Sequence, residues 1–94
     1  GEIRRNVFLV VKEALNNILK HAKATEVSIT LERVEGGLSL FIHDNGKGID
    51  LSAIRQFGNG LKNMKKRMQD IDIDFRIENK NGTLITLHRK IATF

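Results

Sequence analysis

The stretch from Arg4 to Ala22 holds neither glycine nor proline, and its apolar residues Val7, Val11, Ala14, Leu15, Ile18 and Ala22 recur at steps of three and four. That spacing predicts one helix with a single buried face. After it the period changes. Glu26 to Val34 alternates, with Val27, Ile29 and Leu31 on one side, and Leu38 to His43 alternates again. Glu35-Gly36-Gly37 between them predicts a hairpin turn. Asp44 to Asp50 is a glycine-bearing loop. Leu51 to Gln56 has the length for one or two helical turns, capped by Asp50 or Ser52, and Gly58-Asn59-Gly60 interrupts it. Leu61, Met64, Met68 and Ile71 share one face of a further helix. Asp72 to Glu78 predicts a strand with Ile73, Phe75 and Ile77 inward, Asn79-Lys80-Asn81-Gly82 a tight turn, and Thr83 to Ile91 the closing strand. The order α, β, β, short α, α, β, β implies an α+β fold, a two-layer sandwich with helices on one face of a mostly antiparallel sheet. A strand ahead of Arg4 would complete such a sheet, and this chain is expected to begin too late to hold it.

Length confines this pattern to a single domain, residues 1–94. Hydrophobic residues at 40% and charged residues at 29% suit a soluble globular fold. The absence of cysteine excludes disulfide scaffolds, thiolate metal sites and cysteine nucleophiles. No apolar run reaches the ~20 residues of a membrane span, and the start lacks a signal-peptide pattern. Sixteen basic and eleven acidic residues leave a charge of +5, which favours an anionic partner. Nucleotide, nucleic acid, acidic protein and lipid all satisfy that requirement.

The first helix carries more than a core face. Arg5, Lys12, Asn16 and Lys23 form plain solvent surface, but Asn6, Glu13, Asn17, Lys20 and His21 form a third stripe. Glu13, Asn17 and His21 stand at i, i+4 and i+8, one above another. Hard oxygens from Glu13 and Asn17 suit Mg²⁺, and Lys20 can meet phosphate charge. The same spacing also occurs as simple surface support between neighbouring turns. Zinc is a poorer match, because the stripe has one histidine and lacks the H-E-x-x-H arrangement. Two glycine loops follow. In Asp44-Asn45-Gly46-Lys47-Gly48, the glycines permit close backbone approach and the aspartate can accept a hydrogen bond from a ligand; an Asx turn accounts for the same residues. Gly58-Asn59-Gly60-Leu61 opens a helix, whose free N–H groups attract anions. The Walker A spacing and the Rossmann fingerprint are both absent.

Taken in order, Glu13-Ala14-Leu15-Asn16-Asn17 with Lys20-His21, then Asp44-Asn45-Gly46-Lys47-Gly48, then Gly58-Asn59-Gly60-Leu61 resemble the N, G1 and G2 boxes of the GHKL ATPases. That superfamily includes DNA gyrase, mismatch-repair ATPases, heat-shock chaperone ATPases and sensor histidine kinases. Asn81-Gly82-Thr83 resembles its closing G-T element, so the likeness runs from about Arg4 to Arg89. The wording from Val11 to Ala22, and Gly60-Leu61-Lys62-Asn63-Met64 with Arg67-Met68, is similar to sensor histidine kinases with short lids. The resemblance implies the Bergerat-type ATP-binding fold, with a mixed, mostly antiparallel sheet. It also implies roles. Glu13 matches the catalytic acid near the γ-phosphate. Asn17 matches the Mg²⁺ ligand, and Lys20 and His21 match positions near the phosphates. Asp44 matches the aspartate that recognises the adenine amino group, with Gly46 and Gly48 letting the backbone pass base and ribose. Gly58, Gly60 and the Leu61 amide match the phosphate-contacting helix start, and Thr83 a residue near adenine. The implied cofactors are ATP and Mg²⁺.

A histidine kinase would pass the γ-phosphoryl to a histidine on a separate dimerisation domain, and from there to a response regulator. His43 and His88 lie on predicted strands and His21 in the N-box, so none resembles that acceptor, and the chain is expected to be a catalytic module of a larger, cytoplasmic or membrane-anchored kinase. An anti-sigma-factor-type serine kinase shares the fold, although the Gly60-to-Met64 wording argues against it. A basic nucleic-acid-binding module, suggested by Lys62, Lys65 and Lys66, lacks an aromatic stacking row. Neither nucleic acid nor membrane contact is expected.

Overall fold

The computed structural model describes residues 2–48 and 60–91. Helix α1 spans Glu2–Asn17 and is continued by a π-helical turn, Ile18–Ala22. Glu2 places an acid in the first turn, complementing the helix dipole. The regular helix expected as far as Ala22 thus widens over its last turn, as π segments do at functional sites. Both Ile18 and Ala22 remain buried through the wider turn. Lys23 stops it in the left-handed conformation, at φ 53°.

Strands β1, Val27–Val34, and β2, Gly37–Asp44, form the expected hairpin across a two-residue turn, Glu35-Gly36. Helix α2 covers Gly60–Gln69, followed by β3, Asp74–Asn79, and β4, Thr83–Lys90. The third strand begins at Asp74, two residues later than its apolar pattern suggests, because α2 closes with a Schellman motif. Asp72 adopts φ 57°, its N–H reaches Gln69 O at 3.1 Å, and Ile73 N–H reaches Met68 O at 2.9 Å. Ile73 and Met68, both buried, supply the hydrophobic contact that accompanies such a cap. The short helix expected over Leu51 to Gln56 lies outside the described residues.

The strands order as β1-β2-β4-β3. All three pairings are antiparallel, so among the described residues the sheet is not mixed. The register aligns Ile42 with Ile85 and Ile85 with Ile77 on the face covered by the helices. The core unites Val10, Ala14, Ile18 and Ala22 with Leu61, Met64 and Met68 of α2, and with Ile42, Ile73, Ile85 and Leu87. Val10, absent from the stripe read in sequence, is among the most buried residues, whereas Val11 and Leu15 are only half-buried. Helix α1 must cover both the sheet and α2, and this turns its buried line toward Val10. Strand β1 lies at the sheet edge beyond this cluster. Val27, Ile29 and Leu31 share the helix-side face with Ile42 but stay exposed, Leu31 at 67%.

Candidate nucleotide site

Strand register assembles the floor of the site. Asp44, the last residue of β2, pairs directly with Thr83, the first of β4, and Thr83 pairs with Asn79, the last of β3. Paired residues point to the same face. Asp44 and Thr83 thereby extend the Ile42, Ile85 and Ile77 row by one step, beneath the end of α1. Above them the end of α1 and the π turn bring Asn17 and His21 to one pocket with Ala14, Ile18 and Ala22. Gly48, Leu61, Ile77, Thr83 and Ile85 complete its lining with Asp44.

Asp44 is 1% exposed. Its Oδ1 accepts the Gly46 N–H at 2.8 Å. Its Oδ2 is buried and has no hydrogen-bond partner among the described residues, and the same holds for Asn17 Nδ2. A buried carboxylate oxygen left without a donor is costly. Two such groups on one apolar pocket mark a place where a ligand supplies the missing partners.

Glycine lets the loop after β2 pack tightly enough to aim that carboxylate. A Cβ on Gly46 would overlap the Ala22 carbonyl oxygen, and one on Gly82 would overlap the Asp44 carbonyl oxygen. Lys47 N–H donates to the same Ala22 carbonyl at 2.9 Å. On the other side, His43 Nε2 lies 2.8 Å from Lys80 O, joining the end of β2 to the β3–β4 turn.

Of the residues singled out in sequence, Asn17, His21, Asp44, Gly48, Leu61 and Thr83 meet at this pocket. Gly60 begins α2. Gly46 supports the loop from behind rather than lining the pocket, and Lys20 is exposed and outside the lining. Glu13, half-buried, opens into a neighbouring groove between the helices, with Asn16, Asn63 and Arg67. The three-residue row of Glu13, Asn17 and His21 is therefore divided. Its first member stands one turn away over α2, while Asn17, ending α1, and His21, in the π turn, share the pocket. Gly58 lies outside the described residues. Sequence reasoning missed Asn45 and the apolar pair Ile77 and Ile85. Alternation flagged Ile77 only as an inward strand residue and placed Ile85 only within the closing strand, and nothing local to Asn45 reveals its partners.

No cluster of three or more His, Cys, Asp or Glu able to hold a metal exists among the described residues. The donors present are the Asn17 carboxamide and, a turn away, the Glu13 carboxylate. That set fits an ion completed by water and phosphate oxygens, as Mg²⁺ prefers, and not an ion held by protein alone.

The family described as histidine kinase-, DNA gyrase B-, and HSP90-like ATPase matches residues 2–93. The chain belongs to that family. It is 35% identical over 81 residues to the sensor histidine kinase YvfT of Bacillus subtilis, covering 86% of this chain and 21% of that protein. The sensor protein VraS of Staphylococcus saprophyticus is 40% identical over 75 residues, covering 80% and 22%. The chain thus spans about a fifth of the length of these relatives. Among solved structures, the Acinetobacter baumannii histidine kinase AdeS superposes with a TM-score of 0.81 at 20% identity, over 96% of this chain and 48% of that one. The ATP binding domain of PrrB from Mycobacterium tuberculosis gives 0.78 at 23% identity, over 95% and 69%. At these identities the superpositions establish the fold of this ATPase-family domain. Among the described residues no helix is long and apolar enough to cross a membrane.

Proposed function

We propose that this domain binds ATP with Mg²⁺ and, within a longer cytoplasmic or membrane-anchored kinase, presents the γ-phosphoryl group to a histidine on a separate dimerisation domain. The observation that carries this reading is the unpartnered, buried Oδ2 of Asp44 at an apolar slot. A flat base with an exocyclic amine supplies the missing donor, and adenine presents that amine where guanine presents a carbonyl. Ile77, Ile85 and Ala14 contact the base, and Thr83 stands beside Asp44 to complete its polar edge. The triphosphate then runs toward Asn17, His21 and the start of α2, whose free N–H groups and dipole attract anions. Lys20, next to His21, Gly60, the first residue of α2, and Gly58, by its match to the G2 box, are assigned to that end. The Asn17 side-chain oxygen would hold Mg²⁺, which would supply neutralisation of the phosphate charge. Glu13 faces the groove from which an acceptor approaches and orients the attacking imidazole. The imidazole nitrogen bonds to the γ-phosphorus as the bond to the bridging oxygen breaks, and ADP leaves. Positioning and charge stabilisation dominate such a transfer. The phosphohistidine then serves a response regulator. Similarity to the sensor histidine kinase YvfT and to the sensor protein VraS supports this reading.

Calorimetry on the Asp44→Asn variant tests the assignment. The variant keeps an acceptor for Gly46 N–H but turns an amide donor toward the amine, so Mg-ATP affinity should fall about ten-fold or more. An unchanged affinity would remove adenine from this pocket. In the full-length kinase, the phosphorylated product should be labile to acid, as phosphohistidine is and phosphoserine is not.

A further inference from the structure

We infer that Asn45 sets the purine specificity of this domain without touching the purine, by clamping the loop that aims Asp44. The inference rests on the adenine reading of Asp44. Asn45 is exposed, and its side chain nonetheless makes three hydrogen bonds to one distant segment. Its Oδ1 accepts the Thr25 N–H at 2.9 Å and the Glu26 N–H at 3.0 Å. Its Nδ2 donates to Thr25 Oγ1 at 2.9 Å, and its backbone N–H reaches Glu26 O at 3.2 Å. The partners belong to the link between the π turn and β1. The three residues that follow Asp44 are therefore stitched to the end of the π turn and to that link. Gly46 and Lys47 seat on Ala22, and Asn45 seats on Thr25 and Glu26.

The clamp matters because of what Gly46 does. Its N–H occupies Asp44 Oδ1, and this leaves Oδ2 for the ligand. If the loop lifts, Gly46 withdraws its N–H and the carboxylate is free to rotate or take up water. The cost then falls on a ligand that needs Oδ2 as acceptor in one position. A ligand with no donor there loses little. Asn45 is thus a positioning residue, and its signature is the ratio of ATP to GTP affinity rather than affinity in general.

The chemistry of the clamp supplies its own controls. Aspartate at position 45 keeps both N–H contacts through one oxygen, and the Thr25 hydroxyl reverses to donate to the other. Alanine keeps only the backbone N–H contact to Glu26 O. Valine at position 25 preserves shape and removes only the hydroxyl contact. Titration calorimetry of this chain with Mg-ATP and Mg-GTP should show Asn45→Ala losing about three- to ten-fold in ATP affinity, the range that one or two net hydrogen bonds supply. GTP affinity should stay within about two-fold, so the preference for ATP shrinks. Asn45→Asp should restore the ratio, and Thr25→Val should lower it by a smaller factor than Asn45→Ala. In an Asp44→Asn background, Asn45→Ala should cause no further loss of ATP affinity, because the two residues act through one contact. Equal loss for both nucleotides, failure of Asn45→Asp to restore the ratio, or full additivity with Asp44→Asn would each overturn the clamp. If Asn45→Ala does not fold, Thr25→Val decides alone: an unchanged ratio overturns the proposal. If Asp44→Asn alone leaves ATP affinity unchanged, the adenine reading itself has failed, independently of the clamp.

Discussion

Glycine 82 and glycine 36 both adopt positive φ, 118° and 83°, yet they do different work. A Cβ at Gly36 meets nothing within 4 Å, whereas at Gly82 it would collide with the Asp44 carbonyl oxygen. Gly36→Ala should therefore cost only the left-handed backbone penalty, about 1 kcal/mol, and leave Mg-ATP affinity alone. Gly82→Ala should cost about 2 kcal/mol or more, because backbone must also move. The backbone that moves carries Asp44, so ATP affinity should fall with stability. Urea titration beside calorimetry separates the two cases. If the two glycine variants lose equal stability and equal affinity, the β3–β4 turn does not support the site. Sequence alone could not rank these glycines. Both sit in tight turns, and only the register that lays Thr83 beside Asp44 distinguishes them.

Elements obey local signals wherever their caps are local. The β1–β2 hairpin was legible because Glu35-Gly36 is a two-residue turn between alternating runs. The end of α2 was not. Ile71 and Ile73 extend both the helical and the alternating pattern, and the choice between them lies in a Schellman cap at Asp72. An aspartate holding φ 57° there pays a conformational penalty that glycine avoids. Asp72→Gly should raise stability by about 0.5–1 kcal/mol, less some unfolded-state entropy, without altering nucleotide binding. A loss of stability in urea would show that the aspartate side chain, not the backbone cap, governs this helix end. The π turn after α1 was equally invisible beforehand. Widening a helix by one residue per ring leaves the apolar spacing of Ile18 and Ala22 intact, so the pattern reads as regular. Its consequence falls on His21, which shares a pocket with Asn17, the last residue of the regular helix.

At the scale of the whole domain, the site is built from what the core leaves unsatisfied. The apolar row of Ile42, Ile85 and Ile77 continues into Asp44 and Thr83, and α1 covers both. The same packing that buries the isoleucines therefore strips water from Asp44 Oδ2 and Asn17 Nδ2. The boxes were legible in sequence as spacing, whereas the depth of the slot and the clamp on its loop required the folded chain. A ligand that relieves those buried groups must stabilise the native state by mass action. At a free Mg-ATP concentration a hundred times its Kd, the unfolding free energy should rise by about 2.7 kcal/mol, seen as a higher urea midpoint with an unchanged slope. Asp44→Asn should abolish most of that shift. Asn17→Asp should leave the shift with a changed dependence on Mg²⁺, since a carboxylate binds the ion more strongly but repels the phosphates when the ion is withheld. Chelating the metal should then weaken ATP stabilisation more in Asn17→Asp than in the unaltered chain. Equal sensitivity of the two proteins to chelation would place the ion elsewhere and leave Asn17 as a phosphate contact alone.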